Sequence, residues 1–182
     1  MESQIPHPQR ARIVVAFMLP AQAAAKPNAF RRRFDPRTAD AIGAHLTLAG
    51  PVNTLEPLDA IARRVEEVAA ESGIKRADLQ MRLSRVGSFL PASSTVFFEV
   101  HPTAGIAQLH KRLIERLCWE EPFSYHPHVT ICEYLPAASS AEVFTELADE
   151  RFDISATIDS VTLLLKNADG QWEEMKTIKL AC

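Results

Sequence analysis

Two short stretches of this chain set a histidine two residues before a threonine: His45-Leu46-Thr47-Leu48 and His128-Val129-Thr130-Ile131. In an extended strand, residues i and i+2 share a face. His45 should therefore stand beside Thr47, and His128 beside Thr130, with the aliphatic residues turned to a core. An imidazole gives or takes a proton near neutral pH, and a hydroxyl nearby donates to an oxygen of the same ligand. Two such pairs face to face suit a phosphodiester. The threonines would hold its non-bridging oxygens, a neutral histidine would deprotonate the attacking water or hydroxyl, and a protonated one would donate to the leaving oxygen. Each proton transfer is worth about 10²–10⁴ in rate, the hydroxyls add positioning and charge stabilisation, and no metal or other cofactor is required. A single His-x-Thr is more often a satisfied histidine at a strand end; two copies with the same continuation weigh against coincidence.

The neighbours of the second copy extend the candidate site. Tyr125-His126-Pro127 precede His128, which makes Tyr125 and His126 candidates for substrate contact. Arg33, in the run Phe30-Arg31-Arg32-Arg33-Phe34, is a candidate phosphate contact. Two other chemistries compete. His126, His128, Thr130 and Cys132 share strand parity, and with His45 could ligate zinc; no carboxylate or histidine cluster completes such a shell, so the expectation is no metal. A non-catalytic RNA-binding domain could use the same cleft, the basic run, and the rings of Phe30, Phe34, Phe123 or Tyr125 for stacking.

Both motifs need strands, and the surrounding pattern supplies them. Ile13–Leu19 is a continuous β-rich run. It imitates the apolar core of a leader peptide, but Pro20 ends it, and it reads as the first strand. Pro20–Arg37 reads as a long loop. Ala44–Gly50 is a short aliphatic strand closed by Gly50-Pro51. Leu58, Ile61, Val65, Val68 and Ala69 mark a helical face, with Gly73 as its C-cap. The stretches 78–89 and 95–100 read as a hairpin, Ile106, Leu109, Leu113 and Leu117 as a second helix, and a capping box of Ser139 with Glu142 as the start of a third. Strands over 158–166 and 172–180 close the chain around an Asn-Ala-Asp-Gly turn. Residues 1–10 read as a flexible tail. Strand, Pro and helix follow each histidine at similar intervals, as if one βα unit were used twice.

The 182 residues suit one domain or two small lobes. Composition is 47% apolar and 24% charged, with a net charge of −3, ordinary for a soluble globular chain. Seven of the 20 basic residues but only three of the 23 acidic ones fall in the first 40 positions. A local basic segment on an acidic body fits a phosphate-bearing ligand better than a long duplex. Three cysteines without CxxC spacing point to a reducing, cytoplasmic compartment, and no apolar run approaches the ~20 residues of a membrane span.

The two motifs, 83 positions apart, resemble the paired H-x-T/S-φ signature of the 2H phosphoesterase superfamily, which includes the 2′–5′ RNA ligase-like proteins and cyclic phosphodiesterases. The proline before His128 and the opening and closing strands are similar as well, so the resemblance covers nearly the whole chain. It implies an α+β fold of two lobes over 1–182, antiparallel sheets backed by helices, related by a pseudo-twofold axis across a central cleft. It further implies His45 and His128 as the catalytic pair and Thr47 and Thr130 as phosphate ligands. The expected partner is a nucleotide or RNA end bearing a 2′,3′-cyclic or 2′,5′-linked phosphodiester, with the chain acting as a monomer. The chain departs from the family where an Arg often follows the second motif, having Cys132-Glu133-Tyr134 there, and where the first motif runs into Ala49-Gly50-Pro51-Val52 rather than an aromatic residue.

Overall fold

The computed structural model describes residues 11–101 and 103–181; the expected tail, 1–10, and Cys182 lie outside them. In chain order the elements are β1 (Ala11–Met18), α1 (Ala21–Phe34), α2 (Pro36–Ala41), β2 (His45–Thr54), α3 (Leu58–Ala70), β3 (Gln80–Ser88), β4 (Val96–Val100), α4 (Ala104–Leu117), β5 (His128–Cys132), α5 (Ala137–Leu147), β6 (Ile154–Thr157), β7 (Ser160–Lys166) and β8 (Trp172–Lys179). The strands form two four-stranded antiparallel sheets, ordered β2-β1-β7-β8 and β5-β4-β3-β6. This is the expected α+β architecture of two antiparallel sheets with helices.

The doubled unit is visible in the order of elements. β1-α1-β2-α3 recurs as β4-α4-β5-α5, and in each a helix joins two antiparallel neighbours. These joining helices are exchanged: α1 packs on β5 of the other sheet, and α4 packs on β2. Behind the sheets, α3 covers β7 and β8, while α5 covers β3 and β4. One apolar cluster therefore runs through both halves, from Ile13, Val15 and Leu46 to Phe98, Val129 and Ile131.

Periodicity explains most elements. Alternate residues of β1 face opposite ways: Ile13, Val15 and Phe17 enter the main core, and Val14 and Ala16 form a smaller cluster with Leu164 that Met18, Ile42 and Trp172 flank. The stripe Ile106, Leu109, Leu113 and Leu117 is buried along α4, and each such side chain contributes about 1.5–3 kcal/mol by leaving water. Thr103 caps that helix by accepting from the Ile106 N–H at 3.4 Å.

Several expectations are corrected. Pro20–Arg37 is not a loop but mostly α1, followed by the start of α2. Ala23, Ala24, Pro27 and Arg31 are buried on one side of α1, with Phe30 and Phe34 packed against the core; the arginine run and an internal proline disguised this 3–4 spacing. The third late helix starts at Ala137 with Pro136 as N-cap, so no Ser139–Glu142 capping box forms. Ser140 instead donates to the Ser94 carbonyl oxygen at 2.8 Å, tying α5 to the β3–β4 hairpin. The C-cap of α3 is Glu71; Gly73 lies two residues beyond with φ +54°. β6, not foreseen as a separate strand, pairs with β3. Among the described residues no helix is long and apolar enough to cross a membrane.

Candidate functional site

β2 and β5 are edge strands of their respective sheets and adjoin each other. Both alternate as their sequences require: Leu46, Leu48, Val129 and Ile131 are buried, and His45, Thr47, His128 and Thr130 are half-buried. The four polar side chains line a single cavity of about 230 Å³. The two histidines are anchored identically. Nδ1 of His45 lies 2.8 Å from the Gly43 carbonyl oxygen, and Nδ1 of His128 lies 2.7 Å from that of His126. A carbonyl only accepts, so each Nδ1 carries the proton and each Nε2 is left as the exchangeable nitrogen. The doubled βα unit thus extends to the tautomer of its histidine.

Burial lowers the pKa of His45 from 6.5 to about 4, against the raising effect of the Gly43 carbonyl and with smaller lowering by the charges of Arg31 and His128. His128 is also lowered, first by burial and then by the charge of His126, against its own carbonyl contact. Arg12, Arg31 and Lys166 share the cavity wall with one carboxylate, Glu133, whose own pKa is raised by burial against the pull of Arg31. The excess of cations suits an anion.

Arg31 is a residue the sequence reading missed. Its side chain is wholly buried, and it donates to the carbonyl oxygens of Thr130 (2.6 Å), Thr38 (3.0 Å) and Ile42 (2.9 Å). Asp35, buried beside it, accepts from Thr38 and from the Glu133 N–H at 3.1 Å. Arg31 therefore straps β5 to the segment leading into β2. The other motif has its own strap: the Tyr125 hydroxyl donates to the Thr47 carbonyl oxygen at 3.0 Å. The Tyr125 ring lies 3.7 Å centroid to centroid on His110 of α4, nearly parallel. His110 Nδ1 contacts the Leu48 carbonyl oxygen at 2.9 Å, and its Nε2 lies 3.3 Å from Glu121. Each motif threonine thus has its backbone held by a donor from the other half of the molecule. His110, which borders the buried stripe of α4, is part of this support.

The remaining candidates divide. Tyr125 and His126 line a neighbouring hollow that shares Thr47, Gly50, Pro51 and His128 with the central cavity. His126 is exposed and precedes β5, with its ring against Phe89 and Phe97 at 5.4 Å. The strand parity assumed for a zinc set therefore fails at its first member, and no three His, Cys, Asp or Glu side chains converge among the described residues. Arg33 is not brought to the cleft: it is exposed, ion-paired with Glu146, and lies over the Phe34 ring. Of the stacking candidates, Phe30 and Phe34 pack against the core, whereas Phe123 is 84% exposed at the neighbouring hollow. Cys132 is buried, with its thiol pKa pushed up to about 11 by burial, so it offers no thiolate at neutral pH.

Several known proteins are similar to this chain in sequence and fold. A curated relative from Geobacillus kaustophilus (strain HTA426), called "Putative phosphoesterase", is 29% identical over 152 residues, covering 82% of this chain and 85% of its own. One from Bacillus anthracis with the same description is 28% identical over 157 residues, covering 85% and 88%. Escherichia coli LigT crystallised with 3′-AMP superposes with a TM-score of 0.69 at 22% identity, covering 96% of this chain and all of that one. TT0787 of Thermus thermophilus gives 0.61 at 16%, covering 93% and 97%. The family model of the 2′-5′ RNA ligase superfamily matches residues 19–170, a span that holds both His-x-Thr strands and both straps, and the chain belongs to that superfamily.

Proposed function

We propose that this chain is a metal-independent phosphodiesterase acting on 2′,3′-cyclic or 2′,5′-linked nucleotides or RNA ends, with His45 and His128 as its acid–base pair. The observation that carries the reading is the convergence of both His-x-Thr pairs on one cavity, each histidine fixed in the same tautomer by the carbonyl two residues before it. The crystal structures of Escherichia coli LigT with ATP and with 3′-AMP support a nucleotide as ligand class.

The phosphoryl group sits between the two imidazoles, with its non-bridging oxygens on the Thr47 and Thr130 hydroxyls and its charge facing Arg12 and Lys166. One Nε2 takes a proton from water as the water oxygen bonds to phosphorus. The bond to the leaving ribose oxygen breaks, and the other histidine's Nε2–H delivers its proton there. The site returns to its starting state when the first histidine passes its proton to the second. In the empty cleft burial disfavours both imidazolium forms, so the phosphate's negative charge is what stabilises the proton donor. Tyr125 and His126 form the wall on which the nucleoside rests.

The test is a panel of 2′,3′-cyclic nucleotides, 2′,5′-dinucleotides and RNA ends, assayed with and without EDTA. Wild-type protein should turn over at least one class regardless of chelator, and His45→Ala and His128→Ala should each lose about 100-fold or more. Tight binding across the panel with no His-dependent turnover would favour a binding domain instead.

A further inference from the structure

The His45–His128 cavity is the middle of a longer trough. On one side lies the hollow of about 330 Å³ walled by Phe89, Phe123, Tyr125 and His126. On the other, a hollow of about 360 Å³ continues past Tyr134 and Trp172 to Arg37, sharing Thr38, Ile42, Glu133, Tyr134, Lys166 and Trp172 with the centre. Each flank is larger than the centre, so a phosphodiester held between the histidines has room for a substituent on both sides. A cyclic mononucleotide leaves one flank unfilled.

The flanks differ in charge. The Trp172 side carries Arg37 and Lys166 against Glu133, with Arg12 at its inner end. The Phe123 side carries Glu120 and Glu121, and no lysine or arginine lines it among the described residues. Glu121 is engaged with His110, whereas Glu120 is exposed. Both flanks offer rings for a base: Phe123 on one, and on the other Trp172, whose ring has the Lys166 ammonium 5.7 Å from its centroid. Tyr134 stands at the mouth of the basic flank, 75% exposed and with φ +60°. A bulky residue in that conformation is a backbone outlier, and such strain concentrates at ligand sites.

We propose that the trough binds one end of an oligonucleotide with a fixed polarity. The phosphate-bearing body lies along Arg37, Lys166, Trp172 and Tyr134, and a single terminal nucleoside without a further phosphate sits in the Phe123 flank beside Glu120. The scissile bond is then the one joining that nucleoside to the rest. This rests on the phosphodiesterase reading for its chemistry, but its polarity is a binding property. A phosphate extending toward Glu120 is repelled, and one extending toward Arg37 is attracted.

Two isomeric probes decide it: a dinucleoside monophosphate carrying one extra phosphomonoester on its 5′-terminal hydroxyl, and the same molecule carrying it on the 3′-terminal hydroxyl. Titration calorimetry should show one isomer binding about tenfold or more tightly than the other, with the gap shrinking as salt rises. Arg37→Ala should narrow the gap by weakening the tighter isomer, and Glu120→Gln by strengthening the weaker one. Tyr134→Ala should weaken a four-nucleotide RNA by about tenfold, the scale of one lost base–ring stack. Isomers binding within about twofold of each other, or a gap that both charge variants leave unchanged, would overturn the assignment. Because binding reads the polarity and turnover reads the chemistry, the two proposals fail separately.

Discussion

His45 and His128 are depressed by the same physical cause, and this sets where the protein should work. The base must be unprotonated and the acid protonated in the free protein for kcat/KM to be high. With one pKa near 4 and the other below its ordinary value, rate should fall at low pH as the base protonates. It should fall again before or near neutrality as the acid loses its proton. The expected profile is a bell with its maximum on the acid side of 6.5, described by two apparent constants that belong to the coupled pair. Inorganic phosphate in the cleft should raise both imidazole titrations, followed by NMR of the ring protons. A plateau above neutrality that EDTA abolishes and zinc restores would assign the chemistry to a metal-bound hydroxide instead. At the same scale, Thr47→Val and Thr130→Val keep the side-chain shape but remove the proposed hydroxyl donors, so each should weaken phosphate binding in the same titration.

At the scale of elements, the exchanged helices α1 and α4 explain how two edge strands from separate sheets keep a fixed spacing. Packing alone tolerates sliding, whereas Arg31 and Tyr125 pin one carbonyl in each motif strand. Arg31→Met keeps the apolar stem but leaves three carbonyls without their donor and removes the positive charge that Glu133 and Asp35 feel. A loss of about 3–5 kcal/mol is expected, the usual cost of breaking a buried charge arrangement, read as a lowered denaturant midpoint. Tyr125→Phe removes one neutral hydrogen bond, so its cost should be about 1 kcal/mol while kcat falls more than stability does. If Arg31→Met unfolds at the wild-type midpoint, the strap is dispensable to the fold.

For the whole molecule, the continuous apolar cluster through both sheets implies that neither half keeps a core of its own once the other opens. Unfolding should therefore be one cooperative transition. Far-UV circular dichroism should coincide with tryptophan fluorescence from Trp119, beside Gly50, and Trp172 in the cleft. Two separated transitions would mean that the exchanged helices do not couple the halves. A phosphate or nucleotide that binds only the folded cleft should raise the midpoint with ligand concentration.

Much of the candidate site's placement was legible in the chain itself. A two-residue period assigns Leu46 and Val129 inward and His45, Thr47, His128 and Thr130 outward whatever else the chain does, and the spacing of α3 and α4 is equally local. What folding decided lay where distant backbone was needed. Arg31 looks like its exposed neighbours Arg32 and Arg33 until α1 forms and turns it toward a carbonyl 99 positions away. Arg33, further round the same helix, is sent to solvent and to Glu146 instead. Pro27 argued against α1 because it forfeits a helical hydrogen bond, and burial of its ring outweighed that loss. Which side of the cleft is acidic and which basic was likewise undetermined, because Arg37, Lys166 and Trp172 meet only when β8 closes the first sheet. Strand direction is a property of neighbours in sequence, whereas charge around a cavity is a property of neighbours in space.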